Sequence, residues 1–406
     1  MFVKLVLGSL RTRRLTVCLT ILSVFVSTLV VLGVEHIRQE ARSSFSKTVA
    51  GVDLIVGART GQINLLLYSV FRMGSATSNI SWQSYQHIST QPGIAWSVPI
   101  SLGDSHRGYR VMGTTSDYFR HFRYGNNQNL QLQGHAFGDY RSAADARPAA
   151  DFNAVLGHAV AARLGYAVGD TFAIAHGMGS TSFNVHEQSP FTVTGILAAT
   201  GTPVDQTIHV SLESLEAAHQ SGPIPESITA FMIGLESRLQ TFTLQREINA
   251  YAQEPLLAIL PGVALSELWQ MMGVVERMLS LIAGLIMVSA LLGIATMLLS
   301  TLQQRQREIA VLRALGARPL FLFLLIQAEA LIMTVTGMLL AIASLTLTLT
   351  LVAGAISRQF GVFISAQVLQ ADAIPYLVGM IVLAMLLALI PATLVYQRSA
   401  TLLLHD

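Results

Sequence analysis

The side chains able to bind or react fall in a few places along this 406-residue chain. Ten of the eleven histidines lie between residues 35 and 277, and His176, His186, His209 and His219 fall within 44 residues of one another. Neutral imidazole is the commonest metal ligand. However, no pair of these has the short spacing of a zinc site, and the lone Cys18 rules out a cysteine-rich one. They are expected to be scattered surface histidines that hold no metal. A Ser-His-Asp triad would call for a nucleophile-elbow sequence, and none occurs, so no catalytic site is expected. Glu329 is the one carboxylate within a long apolar stretch. Ionisable groups in such stretches are functional by default. Because it lies ten residues beyond Pro319, the expectation is a structural or coupling partner for a basic residue such as Arg14 or Arg313, rather than a proton relay.

The densest charge run is RQREIAVLRALGARP, Arg305 to Pro319. Ile309, Leu312 and Leu315 recur every three residues with Ala310 and Ala314 beside them, while Arg305, Arg307 and Arg313 point elsewhere. Gly316 suits a helix C′ position and Pro319 stops the turn. The pattern predicts a short helix, apolar on one face and basic on the other, sized for a groove on a partner. The plainer alternative is a surface helix with ordinary positive-inside arginines.

Composition sets the surroundings in which these residues act. The chain is 52% hydrophobic and 12% charged, with a mean hydropathy of +0.54. Soluble domains carry about a quarter charged residues, so this is a membrane composition. A net charge of +2 is too small for a nucleic-acid footprint. Four stretches suffice to cross a bilayer, which takes about 20 apolar residues: 15–34, 278–301, 320–352 and 375–397. The first follows a basic segment, 1–14, and is too long for a signal peptide. Lys4, Arg11, Arg13 and Arg14, the arginines of 304–319, and Arg398 of the 398–406 tail all fall on one side of a four-span arrangement. The positive-inside rule makes that side cytoplasmic. Residues 35–277 and the short loop 353–374 then lie outside.

The expected fold is therefore four transmembrane helices with a large α+β extracytoplasmic domain, 51–265, between helices one and two. Strands are expected at 52–56, 95–102, 109–113, 172–175, 191–197, 207–210, 228–235 and 256–260. Helices are expected at 61–72, 81–90, 154–164 and 239–251, and a long surface loop over 123–150. Two similar β-α-β units, split by an inserted β module at about 115–215, describe this domain. Residues 35–50 continue the first span outward as a stalk. With Ser266 as N-cap, a second helix runs to Gln303, about 57 Å at 1.5 Å per residue. Such a helix exceeds the hydrocarbon core of about 30 Å and could serve as a lever. Small-residue ladders Ser280–Gly284, Ser289–Gly293 and Ala384–Ala388–Ala392 suit close helix packing, within the chain in preference to a dimer seam.

GIATMLLSTLQQRQREIAVLRALGARPLFLFLLIQAEALI, Gly293 to Ile332, resembles the signature segment of the MacB/FtsX-type ABC transporter permeases. Its core is Glu308, Ile309, Arg313, Ala314, Leu315, Gly316 and Ala317. The basic N-terminal segment and VLGHAVAARLGYAVGDTFAI, Val155 to Ile174, resemble the same family, and Ile390–Ala400 does so less closely, with Val395 and Tyr396 departing from its pattern. Gly51 to Gly74 resembles a subgroup with some members linked to periplasmic metal handling. The resemblance implies a permease dimer, of identical or related copies, in a bacterial inner membrane with its large domain in the periplasm. It implies that Arg305, Arg307, Glu308, Ile309, Leu312, Arg313, Leu315 and Gly316 form a coupling helix that docks on a cytosolic ABC ATPase. ATP-driven motion would pass through the stalks to the external domain, a mode called mechanotransmission, acting on a lipid, lipoprotein, peptide or other periplasmic substrate. ATP and Mg2+ would sit on the ATPase. No G-x-x-x-x-G-K-[ST] occurs here, so that ATPase is expected to be a separate chain. A periplasmic adaptor or substrate-binding protein and membrane lipid are further implied partners. The alternative is an FtsX-like regulator that activates an external partner such as a cell-wall hydrolase.

Overall fold

The computed structural model describes residues 2–48, 51–125, 127–138, 151–177, 189–219, 225–304, 311, 318–360, 367–369 and 373–401. The chain divides into two compact units. A membrane unit comprises 1–40, 273–352 and 365–406, and an α/β unit comprises 41–272 with 353–364.

Among the described residues four helical segments, lying wholly or mostly in the membrane unit, are long and apolar enough to cross a bilayer: Arg14–Glu40, Pro261–Ser300, Leu320–Val352 and Ile374–Thr393. They belong to α2 (Arg14–Lys47), α9 (Pro261–Gln304), α10 (Pro319–Phe360) and α11 (Ile374–Thr401). Before them comes α1 (Phe2–Thr12). Val6 and Leu10, one turn apart, are buried in the unit's core, whereas Arg11 and Thr12 are exposed. That core joins Val17 and Val24 of α2, Leu291, Ile294 and Leu298 of α9, and Leu325, Ile326 and Met333 of α10. Ala384, Ala388 and Ala392 of α11 complete it. The alanine ladder is thus a packing surface inside the chain. The serine–glycine ladders are not: Ser280, Ser289 and Gly293 are exposed, and a Cβ on Gly284 or Gly293 would meet nothing within 4 Å. Repeating small residues mark close approach only where a neighbouring helix faces them. The close approach made here belongs to Gly337 of α10. A Cβ at that position would lie 2.8 Å from the Val24 Cβ and 3.0 Å from the Ile21 carbonyl oxygen of α2.

The long α9 begins at Pro261, not after Ser266. Leu260 supplies the first acceptor, taking hydrogen bonds from the amides of Val263 and Ala264 at 3.1 and 3.0 Å. Proline suits a first helical turn because its φ is already helical and its missing N–H would have had no partner. The helix then continues without interruption for 44 residues.

In the α/β unit the remaining helices are α3 (Gln62–Ser69), α4 (Trp82–Ser89), α5 (Asp117–His121), α6 (His158–Leu164), α7 (Leu212–Ala218) and α8 (Thr241–Asn249). The strands, in chain order, are β1 (Leu54–Ala58), β2 (Ile80–Ser81), β3 (Ile94–His106), β4 (Tyr109–Thr114), β5 (Arg123–Tyr124), β6 (Gln128–Asn129), β7 (Leu132–Gly134), β8 (Asn153–Leu156), β9 (Thr171–Phe172), β10 (Ala175–His176), β11 (Phe191–Leu197), β12 (Thr207–Ser211), β13 (Ser227–Ile228), β14 (Ala230–Leu235) and β15 (Leu256–Ile259). Eleven of them make one sheet, ordered β15-β1-β14-β3-β4-β12-β8-β11-β7, with β10 added to β3 and β9 to β11. At the β15-β1-β14 end both faces are covered. Ile55, Met232 and Ile259 enter one core with Leu65 and Leu66 of α3. Leu54, Val56, Phe231 and Ile233 enter another with Ile88 of α4 and Leu244 and Ile248 of α8. Alternate residues of one strand face opposite sides of a sheet, and here both sides are apolar.

Three expectations change. Apart from β5 and β6, which pair with each other, the strands between 115 and 215 extend the same sheet, because β12 pairs in parallel with β4. The segment at 153–164 is a strand and then a helix, divided at Gly157, where a Cβ would collide with the carbonyls of Val204 and Asp205. A short apolar run does not separate helix from strand by itself. Finally, residues 123–134 carry β5, β6 and β7 instead of loop, while 139–150 lie outside the described residues.

Gly337→Leu should force α2 and α10 apart and lower thermal stability in detergent by an overpacking cost of about 1–3 kcal/mol. Gly284→Leu, with open space at its Cβ position, should stay near wild type. Equal losses in the two variants would contradict the packing described.

Candidate functional site

Two polar clusters stand out against these cores. The first is in the membrane unit, where α1 meets α10. Glu329 is 2% exposed. Ser9, itself buried, donates its hydroxyl hydrogen to Glu329 Oε1. Arg13 places Nη2 at 3.0 Å from Ser9 Oγ and 3.7 Å from Glu329 Oε2. A hydroxyl thus bridges a carboxylate and a guanidinium within apolar packing. The cation next to Glu329 is Arg13, not Arg14, which turns to the carbonyl of Arg11. Arg313 lies outside the described residues. Charges removed from water require such partners, because an isolated one is expensive to bury.

A second ion-pair set in the same unit ties α2 to α9. Glu35 Oε1 accepts from Arg38 Nη2 at 2.5 Å, and Arg38 Nη1 lies 3.7 Å from Glu276 Oε2. Neither the Arg38–Glu276 pair nor the Ser9–Arg13 contacts were legible from the sequence, since the partners are far apart in the chain or lie in a generic basic run.

The second cluster is in the α/β unit. Asp104 is buried near the end of β3. His176 on β10 is its cross-strand neighbour, and the carboxylate Oδ1 lies 2.8 Å from His176 Nδ1. The other oxygen, Oδ2, lies 3.0 Å from Nε2 of His219 at the C-terminal end of α7. The two imidazoles stack with centroids 4.4 Å apart and an interplanar angle of 24°. The hydrogen bond to Asp104 raises the pKa of His219, against the opposing effect of burial. This outcome corrects the expectation of scattered surface histidines. Two of the four meet at one carboxylate, joined by strand pairing and helix packing that residue spacing does not reveal.

His209 departs differently. It is fully buried on β12, with Nδ1 donating to the Val155 carbonyl at 3.2 Å and its ring against Tyr118 and Phe119. Burial, with the nearby Arg72 charge, lowers its pKa to about 3, so it is a neutral core histidine. His186 lies outside the described residues, as do Arg305, Arg307, Glu308, Ile309, Leu312, Arg313, Leu315 and Gly316. The structure describes the flanks of that segment, the end of α9 at Gln304 and the start of α10 at Pro319.

Comparison with known proteins covers both units. The MacB-like periplasmic core domain matches residues 15–251, and the FtsX-like permease C-terminal domain matches residues 280–400. Among solved structures, the periplasmic region of MacB from Actinobacillus actinomycetemcomitans is 12% identical and aligns over 54% of this chain and 94% of its own, with a TM-score of 0.37. The extracellular domain of the noncanonic ABC-type transporter YknZ from Gram-positive bacteria is 12% identical and aligns over 51% of this chain and 98% of its own, with a TM-score of 0.32. No curated protein matches the chain.

The Ser9–Arg13–Glu329 contacts should show strong coupling in a double-mutant cycle. Arg13→Met or Glu329→Leu alone leaves the opposite charge buried with a partner removed, at a cost of about 3–5 kcal/mol. The double variant should recover much of that loss in thermal unfolding of the detergent-solubilised protein. Simple additivity of the two losses would show that the charges do not interact.

Proposed function

Because the chain belongs to the family of ABC transporter permeases that combine a MacB-like periplasmic core domain with an FtsX-like permease region, we propose that it is the permease subunit of a mechanotransmitting ABC transporter. In this reading the membrane unit lies in a bacterial inner membrane and the α/β unit in the periplasm. Two permease copies, identical or related, pair with two cytosolic ATPase subunits that hold ATP and Mg2+. Closure of the ATPases moves the 305–316 coupling helices, and the long helices carry that movement to the periplasmic domain. The work is done on a lipid, lipoprotein, peptide or similar periplasmic substrate.

The observation that supports a lever most directly is α9. Its 44 unbroken residues span about 66 Å at 1.5 Å per residue, roughly twice the hydrocarbon core of about 30 Å. A tether requires no such continuity, whereas a lever does, because a break in the hydrogen-bond ladder would absorb motion. The Glu35–Arg38–Glu276 contacts would hold α2 and α9 together as they move. The Ser9–Glu329 contact would couple α1 to α10, ten residues beyond Pro319 and so near the coupling segment.

Two experiments address separate steps. Leu312→Asp would put a charge into the desolvated face of the coupling helix, where losses of several kcal/mol are typical of a central contact. The variant should insert normally yet fail to retain its ATPase in pull-downs. Arg307→Ala, at the rim, should cost far less and show salt dependence. Unchanged retention by Leu312→Asp at normal expression would sink the coupling assignment. For the lever, a Gly-Gly-Gly insertion beside Gly273 should leave ATPase binding and ATP hydrolysis intact while periplasmic function is lost. Full function after that insertion would contradict mechanotransmission through α9.

A further inference from the structure

In the α/β unit three separate elements bring nitrogen and oxygen donors to one point, and this arrangement stands apart from the lever just described. β3 is thirteen residues long and carries a bulge near its end. Its pairing with β4 shifts register between Leu102 and Ser105, so Gly103 and Asp104 together face a single residue of β4. Bulges re-aim side chains and recur beside functional sites. Beyond the bulge, β10 pairs antiparallel with β3 and sets His176 directly opposite Asp104. The third member, His219, follows the last residue of α7, where its backbone amide closes the helix on the carbonyls of Leu215, Glu216 and Ala217.

We propose that Asp104, His176 and His219 form a binding site for a divalent transition-metal cation of the zinc class. Ligand atoms from the three residues all lie within 4.8 Å of one another. Nδ1 of His176 and Nε2 of His219 face the carboxylate at 2.8 and 3.0 Å. Donors on a tetrahedral ion, each about 2.0–2.1 Å from it, are separated by roughly 3.3 Å. The two nitrogen–carboxylate contacts therefore need to open by only a few tenths of an ångström to admit the ion, with the three ligand atoms already within 4.8 Å of one another. Two imidazoles and one carboxylate are a ligand set of catalytic or transfer type, in which three protein ligands leave a fourth position open.

With no ion bound, a hydrogen on each facing nitrogen would let it serve as donor to the carboxylate. An ion requires those nitrogens bare, so each neutral ring holds its proton on the other nitrogen, Nε2 of His176 and Nδ1 of His219. Any ring protonated on both nitrogens releases one proton to solvent. Two cationic rings stacked at 4.4 Å would repel each other beside a single carboxylate, whereas one divalent ion satisfies all three groups. Charge in the surroundings also favours a cation. Glu216 is within electrostatic reach of both Asp104 and His219, and Glu226 within reach of Glu216. Access is asymmetric: the Asp104 side chain is 2% exposed, that of His219 20% and that of His176 48%. The ion would enter past His176, and the open position would face the same way. A purely structural role explains His176 poorly, since a pair so exposed contributes little to stability.

The test uses the full chain, free of any affinity tag, solubilised in detergent. Zn2+ and Co2+ are titrated against a chromophoric chelator, and bound metal is counted by elemental analysis after desalting. One ion per chain is expected. His176→Gln and His219→Gln should each weaken binding at least tenfold, while His135→Gln, an exposed histidine elsewhere, should leave it unchanged. The Co2+ form should show the intense visible absorption of a four- or five-coordinate ion. Zn2+ should raise the melting temperature of the wild type and leave that of the His176→Gln/His219→Gln double variant unmoved. Because His176 is half-exposed, its variant is expected to fold, and a wild-type melt without metal verifies this. Wild-type binding no tighter than that of the double variant, or an equal loss in His135→Gln, would overturn the assignment. Neither result bears on ATPase docking at Leu312, so the two readings fail separately.

Discussion

Hydrocarbon offers no hydrogen-bond partner to a peptide group, so a chain that enters it must satisfy its own backbone. That constraint shapes the membrane unit. It explains why each apolar stretch is one unbroken helix and why α9 and α10 extend over 44 and 42 residues. It also favours partners for polar side chains buried within the unit. Thr334 returns its hydroxyl to the Ala330 carbonyl, and Ser9 bridges Arg13 and Glu329. With hydrophobic attraction between helices weakened in lipid, close contact must supply cohesion. Gly337 against Val24 and the buried Ala384–Ala388–Ala392 face show how this chain achieves it.

The α/β unit solves a different problem, because water can satisfy an exposed strand edge but not a buried one. Its central device is β3, whose first half pairs with β14 and whose second half pairs with β4 and β10. One strand thereby belongs to both ends of the sheet, and the bulge at Gly103–Asp104 interrupts its pairing with β4. The same irregularity turns a carboxylate into the space shared with His176 and His219. A backbone irregularity thus coincides with a polar cluster, as bulges beside functional sites commonly do.

The family assignment and the polar clusters rest on different physics. Apolar length, basic asymmetry and the 293–332 segment report on membrane insertion and docking, both read from local sequence. The contacts of Asp104 span 72 residues to His176 and 115 to His219, and those of Glu329 span 320 to Ser9. Nothing local encodes such separations.

Local sequence was enough for the four apolar helices and most strands, because hydrophobic period and length are short-range properties that survive folding unchanged. Phe191–Leu197 coincides with its expected strand, and Tyr109–Thr114 differs from expectation by one residue. The sequence also carried the 305–316 pattern, although that segment lies outside the described residues. Tertiary structure alone decided which small residues pack, which arginine meets Glu329, and which histidines converge. Ser280, Gly284, Ser289 and Gly293 read as well as the alanine ladder does, yet only the alanines face a neighbour. His209 reads like His176, yet one is sealed in a core and the other sits at a sheet edge beside Asp104. The physical reason is the same in each case: a side chain's energy depends on what is opposite it, and strand register, bulges and helix rotation set that neighbour across tens to hundreds of residues.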